Sequence, residues 1–325
     1  MKLHGLLIAS LMLAGSALFA QVVPTNRYSM KLQQNPDGSY SLQKEKNYRK
    51  IVNLDAIPDL YTPYVHQNDR LTSKLYKDTE TEVLVYKNAD GRELKIAVDK
   101  AKGDKPAPVM FYCHGGGWAR GDFESGRSLS KYMAQQHGIT GVRIEYSLAQ
   151  PGVKAEVSAQ DVIDAVAFVR SKAKELNIDP DRIGLQGTSA GGHLAAHAAM
   201  KIKGVKVFVG YSGIYDLTTA ALIVRTKDQQ RIEYFYDLDQ AMLRKLSPRY
   251  LIPKKTGMAV QLFCGTADIV VECSQSKDFA EDLKKHGASV DLQVYENYDH
   301  NLSSKTSDKM EEIFFKTADF IAANL

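Results

Sequence analysis

Gly187-Thr188-Ser189-Ala190-Gly191 stands between the apolar run Arg182-Ile183-Gly184-Leu185-Gln186 and the alanine-rich stretch Gly192-His193-Leu194-Ala195-Ala196. An apolar run that enters a G-x-S-x-G pentapeptide and leaves it as a helix describes a sharp strand-to-helix turn. A serine there must adopt a strained backbone that lifts its hydroxyl clear of the sheet. The flanking glycines let neighbouring chain approach closely enough to allow it. Ser189 is therefore the candidate nucleophile, and the helix behind it adds the positive end of its dipole and a free backbone N–H at Ala190.

Working outward from this turn, strand-like and helix-like segments alternate from Thr81 onward, the pattern of a mostly parallel sheet covered by helices on both faces. Residues 81–86 and 93–98 flank the turn-rich Asn88-Ala89-Asp90-Gly91, so the first two strands are expected to pair antiparallel. Residues 109–113, 140–146, 182–186, 205–210, 258–264 and 290–295 complete an expected eight strands. Helices are expected over 125–136, 155–175, 190–201, 274–286 and 307–323. Ser274 reads as the N-cap of the fourth helix and Gly287 as the glycine that ends it.

A lone G-x-S-x-G is a weak signal, and its weight comes from its partners in chain order. His114-Gly115-Gly116-Gly117-Trp118 follows an apolar strand, and consecutive glycines let backbone N–H groups turn inward without side-chain obstruction. Gly115, Gly116 and Ala190 are the expected oxyanion donors. Leu262-Phe263-Cys264-Gly265-Thr266-Ala267-Asp268 is a strand that runs into a turn ending on a carboxylate. Tyr295-Glu296-Asn297-Tyr298-Asp299-His300 places a histidine after the next strand. Ser189, Asp268 and His300 thus occur in the order Ser, Asp, His, which differs from the chymotrypsin and subtilisin orders. Glu272 is the alternative acid, with Asp278 and Asp239 as further competitors. The chemistry implied is acyl transfer, with His300 as base and Asp268 holding its tautomer.

At these residues the chain resembles the α/β-hydrolase esterases, close to the hormone-sensitive-lipase-like and bacterial acetyl or feruloyl esterase branches. The resemblance runs from about Thr81 to Leu325. Besides the triad it rests on Tyr146-Ser147-Leu148-Ala149, Asp161, Asp179-Pro180-Asp181-Arg182-Ile183, Ser189-Ala190-Gly191-Gly192-His193-Leu194-Ala195 and Ser247-Pro248. The family usually has Tyr-Arg-Leu-Ala-Pro where this chain has Tyr146-Ser147-Leu148-Ala149-Gln150, a departure that bears on subfamily and not on chemistry. The resemblance implies an α/β-hydrolase fold and a cofactor-free, metal-free serine esterase acting on small acyl esters. It favours acetyl or hydroxycinnamoyl groups on plant polysaccharides. A secreted peptidase or an arylformamidase of the same fold, and an inactive glycan-binding relative, are the alternatives.

The N-terminus carries Lys2 and an uncharged apolar stretch from Leu6 to Phe19, ending at Ala20. A charged start, a run too short to span a bilayer and a small residue at the cut read as a secretory signal over 1–20, with Ala17 as the other cut and an uncleaved anchor as the other reading. A secreted or periplasmic protein is expected, with a 21–80 extension before an 81–325 catalytic domain. Within that extension Asn35-Pro36-Asp37-Gly38 suggests a small hairpin. The 217–248 stretch reads as an insertion and, like the extension, as a candidate lid.

Lysine and arginine total 42 against 38 acids, a net charge of +4, with no basic cluster longer than a pair. That balance argues against nucleic acid as a partner and leaves oligomeric state open. Cys113, Cys264 and Cys273 are too few for a disulfide scaffold, but export would permit a Cys264–Cys273 bridge across the acid loop. His193 and His197 share metal-ligand spacing, yet no glutamate follows the first, and a structural histidine near the turn is the expectation. Trp118 is expected in the substrate cleft as an aromatic face, with packing of its own loop as the equal alternative.

Overall fold

The computed structural model describes residues 31–34, 40–43, 51–53, 75–89, 91–219, 222–224, 234, 238–303 and 309–325. The expected leader over 1–20 lies outside them. Eight strands form one sheet: β4 (Glu82–Ala89), β5 (Arg92–Asp99), β6 (Ala107–Cys113), β7 (Thr140–Ile144), β8 (Ile178–Thr188), β9 (Val205–Tyr211), β11 (Ala259–Gly265) and β12 (Ser289–Tyr295). Their order across the sheet is β12-β11-β9-β8-β6-β7-β5-β4. All neighbours pair parallel except β4 with β5 and β5 with β7. The eight expected strands are the eight observed, and the expected hairpin is the antiparallel β4–β5 pair.

Position in the sheet explains each strand's composition. Every residue of β6 is buried, because a central parallel strand is covered on both faces and can be apolar throughout. The edge strand β4 alternates instead, leaving Val83 49% and Val85 43% exposed. On one face α2 (Ala155–Ser171) and α4 (Ala190–Lys201) cover the sheet, and on the other α1 (Arg127–Gln136) and α7 (Met310–Asn324) do so. Of the helices, α3 (Ala173–Leu176) and α5 (Gln240–Leu246) are short, and α6 (Ser274–Lys285) lies against β11 and β12. Residues 190–200 of α4 are all buried, which accounts for a helix made largely of alanine and glycine between sheet and helix layers. Asp161 of α2 is fully buried, yet it pairs with Lys87 Nζ at 2.7 Å and accepts from Ser147 N at 2.9 Å. It thereby ties the Tyr146-Ser147-Leu148-Ala149 loop to the helix layer.

A second buried charge cluster lies where α1 crosses the antiparallel edge. Arg143 Nε donates to Asp99 Oδ2 at 2.9 Å and Arg143 Nη1 to Phe123 O at 2.8 Å, while Lys131 Nζ lies 3.4 Å from Asp99 Oδ1. Burial pushes the Asp99 carboxyl up, but hydrogen bonds from Ser130 and Thr81 and the charge of Arg143 outweigh it and hold it below its ordinary value.

Two expectations need correction or extension. α6 begins at Ser274 itself, so Cys273 is the N-cap, and Ser274 Oγ meets Glu272 instead of an orphan backbone N–H. Gly287 does end that helix, at φ 90°, with its N–H on Lys284 O. The small hairpin pairs β1 (Lys31–Gln34) with β2 (Tyr40–Gln43) antiparallel. Beyond it, β3 (Ile51–Asn53) pairs parallel with β10 (Leu222–Val224), joining the N-terminal extension to the 217–248 insertion. A short pairing of segments so far apart in sequence leaves no periodic trace.

Candidate active site

Four parallel strands deliver the site at one edge of the sheet, because the loops that follow β6, β8, β11 and β12 all leave from carboxyl ends. Ser189 follows β8 at φ 54° and ψ −120°, a conformation strained for any L-residue. It is held there by Ser189 N to Tyr211 O at 2.8 Å and by His193 N to Ser189 O at 3.1 Å. The glycines are required by contact. A Cβ on Gly187 would press into the Gly191 carbonyl, and one on Gly191 into the carbonyls of Cys113 and His114.

His300 Nε2 lies 2.9 Å from Ser189 Oγ, and its Nδ1 lies 2.8 Å from Asp268 Oδ2. The three residues named from chain order alone are thus within hydrogen-bond reach. The carboxylate is fixed on its other oxygen too, since Asp268 Oδ1 accepts from Val270 N and Val271 N at 2.8 Å each. Asp299 turns away from the serine. Its Oδ1 accepts from Asn301 N, Ser303 N and Ser303 Oγ, at 2.9, 3.0 and 2.9 Å, and so shapes the loop that carries His300. Burial lowers the affinity of the His300 imidazole for a proton. The charge and hydrogen bond of Asp268, with the charge of Asp299 behind them, reverse the balance, and its pKa lies above the ordinary 6.5.

Cys264 and Cys273 are joined by a disulfide across the Asp268 loop, with Cα atoms 5.2 Å apart. A closed loop of this length lowers the entropy of the unfolded chain by the equivalent of about 2–3 kcal/mol. Cys273→Ser is therefore expected to lower unfolding stability by that order in a urea titration. An unchanged midpoint would show that the Asp268 hydrogen bonds hold the loop without the bridge.

The loop after β6 supplies the other wall. Gly115 packs against Ser189, with a Cβ built on Gly115 only 3.5 Å from Ser189 Cβ. His114 Nδ1 meets Gly115 O at 2.7 Å while its ring stacks on Tyr146 at 4.2 Å. Because C=O and N–H of one trans peptide point oppositely, anchoring the Gly115 carbonyl aims the Gly116 N–H the other way. Gly116 takes φ 111°, open only to glycine at low cost. Ala190 is the first residue of α4, where backbone N–H groups have no intrahelical acceptor. Among the described residues, none accepts a hydrogen bond from the N–H of Gly115, Gly116 or Ala190. A cavity of about 790 Å³ opens over Ser189 and His300, with all three glycines of the loop in its lining.

Trp118 does not join that lining. It is 6% exposed, donates from Nε1 to His193 Nδ1 at 3.2 Å and stacks on Tyr234. The expected cleft aromatic is instead packed under its own loop, because a buried indole N–H needs an acceptor and His193 provides one. His193 Nε2 in turn meets Leu246 O at 2.9 Å, and burial drives its pKa down to about 4, so the ring is a neutral brace between loop and helix. The cavity wall that sequence reading missed comes from α7, through Met310, Ile313, Phe314 and Phe315, and from Leu75. In the sequence these residues read only as the apolar stripe of a terminal helix and an isolated leucine.

Residues 94–283 match the family model described as BD-FAE. Over 216 residues the chain is 27% identical to a probable isoprenylcysteine alpha-carbonyl methylesterase of Oryza sativa subsp. japonica, covering 59% of this chain and 50% of that protein. An ethyl acetate hydrolase of Pseudomonas putida is 26% identical over 232 residues, covering 65% and 72%. The chain spans about half the length of the methylesterases it matches. Among solved structures, a butyrate-bound thermophilic esterase of Thermogutta terrifontis superposes with a TM-score of 0.62 at 25% identity, covering 75% of this chain and 94% of that one. The sheet order, the serine turn and a family match over more than half its length together establish that the chain is an α/β-hydrolase belonging to the BD-FAE family.

Proposed function

We propose that this protein is an exported serine carboxylic-ester hydrolase that removes acetyl or hydroxycinnamoyl groups from plant polysaccharides through an acyl-enzyme on Ser189. The observation that carries the reading is the unbroken relay from Ser189 Oγ through His300 to Asp268 Oδ2. His300 Nε2 takes the serine proton as Oγ attacks the ester carbonyl, then returns it to the leaving alcohol. A water activated by the same nitrogen releases the acid. The N–H groups of Gly115, Gly116 and Ala190 face the charge that develops on the carbonyl oxygen, each such donor being worth about 3 kcal/mol in the transition state. Asp268 keeps the proton on Nδ1, which leaves Nε2 free to act as base.

The small-ester part is supported by similarity to the ethyl acetate hydrolase and to the butyrate-bound esterase. Export is supported by Lys2 and the apolar run that follows it. The test is release of p-nitrophenol from acetyl, butyryl and octanoyl esters, run beside acetylated and feruloylated xylan. Ester turnover with acid release from xylan is expected. Turnover on an amide or formamide alone would replace this reading, and absence of any turnover would leave a binding protein.

The relay also sets a pH dependence. Nε2 acts as base only when His300 is neutral, and its pKa lies above 6.5. kcat/KM is therefore expected to fall with decreasing pH through a midpoint above 6.5. Because the charge of Asp299 contributes to the upward shift, Asp299→Asn should move that midpoint down while keeping the loop's acceptor oxygen. A midpoint at or below 6.5 in the unaltered protein would contradict this electrostatic account.

A further inference from the structure

We propose that Leu75 forms part of the substrate pocket as a specificity-determining residue, held in place by residues 76–81, a strap anchored along α1. The proposal rests on the ester-hydrolase reading above and adds to it a segment that lies before the sheet begins.

Leu75 is half-buried and lines the same cavity as Ser189 and His300. Nearly every residue that follows it is tied down. Tyr76 Oη lies 3.4 Å from Ser128 Oγ. Lys77 exchanges two hydrogen bonds with Gln135, N to Oε1 at 2.9 Å and O from Nε2 at 2.6 Å. Asp78 takes both oxygens to Arg127 Nη2, at 2.6 and 2.7 Å. Lys131, fully buried, donates to Thr79 O and to Thr81 Oγ1, and Thr81 Oγ1 donates to Asp99 Oδ1 at 2.7 Å. Ser128, Gln135, Arg127 and Lys131 all belong to α1.

Exposed ion pairs such as Asp78–Arg127 hold little individually, but lifting the strap would take the Thr79 and Thr81 acceptors from the buried Lys131 ammonium and leave it only its ion pair with Asp99. An extended segment of this length reaches roughly 20 Å, enough to run from the edge strand β4 to the cavity. The loop that leads into α1, residues 120–126, also contributes to the cavity lining and is fastened to the same cluster through Arg143 and Phe123 O. Asp99 therefore anchors both the strap and this loop, through Thr81 and Arg143. Leu75 contacts the substrate group that lies along α1, and Asp78 is a positioning residue acting through it.

The test compares kcat/KM ratios in two ester series on the full chain: p-nitrophenyl octanoate against acetate for the acyl side, and octyl against ethyl acetate for the alcohol side. Leu75→Ala is expected to lower the long-to-short ratio about five-fold in one series, from lost apolar contact. Leu75→Trp should shift the ratio in the same series by filling the space. Asp78→Ala should lower it in the same direction, and the double variant Asp78→Ala with Leu75→Ala should match Leu75→Ala alone, because neighbours acting through one contact are not additive. Ratios unchanged in both series for both Leu75 variants overturn the proposal, as does an Asp78→Ala loss that falls equally on long and short esters. A failure of the parent reading looks different, since no ester would be turned over by the unaltered protein.

Discussion

Ser189→Ala is expected to lower kcat/KM on p-nitrophenyl acetate by about 10⁴ to 10⁶-fold, because among the described residues Ser189 Oγ is the one nucleophile on His300 Nε2. The residual rate would come from the oxyanion donors and from binding, which the substitution leaves in place. Stability should be kept or slightly raised. The serine occupies φ 54° whatever its side chain, and among the described residues its hydroxyl hydrogen-bonds only to His300 Nε2. Thermal unfolding beside the kinetics separates the two effects. A large rate loss with an unchanged midpoint assigns the chemistry to Ser189. A variant that keeps more than a hundredth of the rate would mean that water attacks directly or that another nucleophile is used.

Much of this site is legible in the sequence because it depends on order and local pattern. Strands β6, β8, β9 and β11 are apolar runs bounded by turn residues, and central parallel strands have to read that way. A parallel sheet puts every strand-to-helix loop at one edge, so naming the loops after successive strands also names what will meet. Ser189, Asp268 and His300 were accessible for that reason. Three-dimensional packing of polar groups was not. Nothing in the sequence marks Lys131 and Arg143 for burial, yet both are buried, because acceptors from Thr79, Thr81, Asp99 and Phe123 converge on them from distant segments.

Trp118 shows the same limit from the other side. Its sequence position beside the glycines suits a cleft as well as a core, and the deciding partner, His193, is 75 residues away. The strap followed no periodicity at all. It is fixed by side chains of one helix reaching a segment with no regular structure over most of its length, and neither strand nor helix patterning records that.

Asp268→Asn carries the second large effect, and the hydrogen bonds around the carboxylate say why. Oδ1 accepts from two backbone N–H groups and Oδ2 from His300 Nδ1, so ionised Asp268 is an acceptor on every side. An asparagine has one acceptor oxygen and one donor nitrogen. If its oxygen keeps Val270 N and Val271 N, its amide N–H faces His300 Nδ1. That nitrogen must then be unprotonated, the ring proton moves to Nε2, and the ring offers Ser189 a donor where a base is needed. If the amide flips, its N–H is pushed against two backbone N–H groups and the loop that carries residue 268 is forced to move. The first arrangement costs less, so the fold should survive while kcat falls by about 10⁴-fold, the loss known for the wrong tautomer in a serine triad. The upward shift on His300 should also vanish, since its charged partner is gone. ¹⁵N imidazole NMR on the variant distinguishes the two arrangements by which ring nitrogen carries the proton. A variant with Nδ1 still protonated and a rate within tenfold of the original would place the acid elsewhere, with Glu272 the next carboxylate to replace.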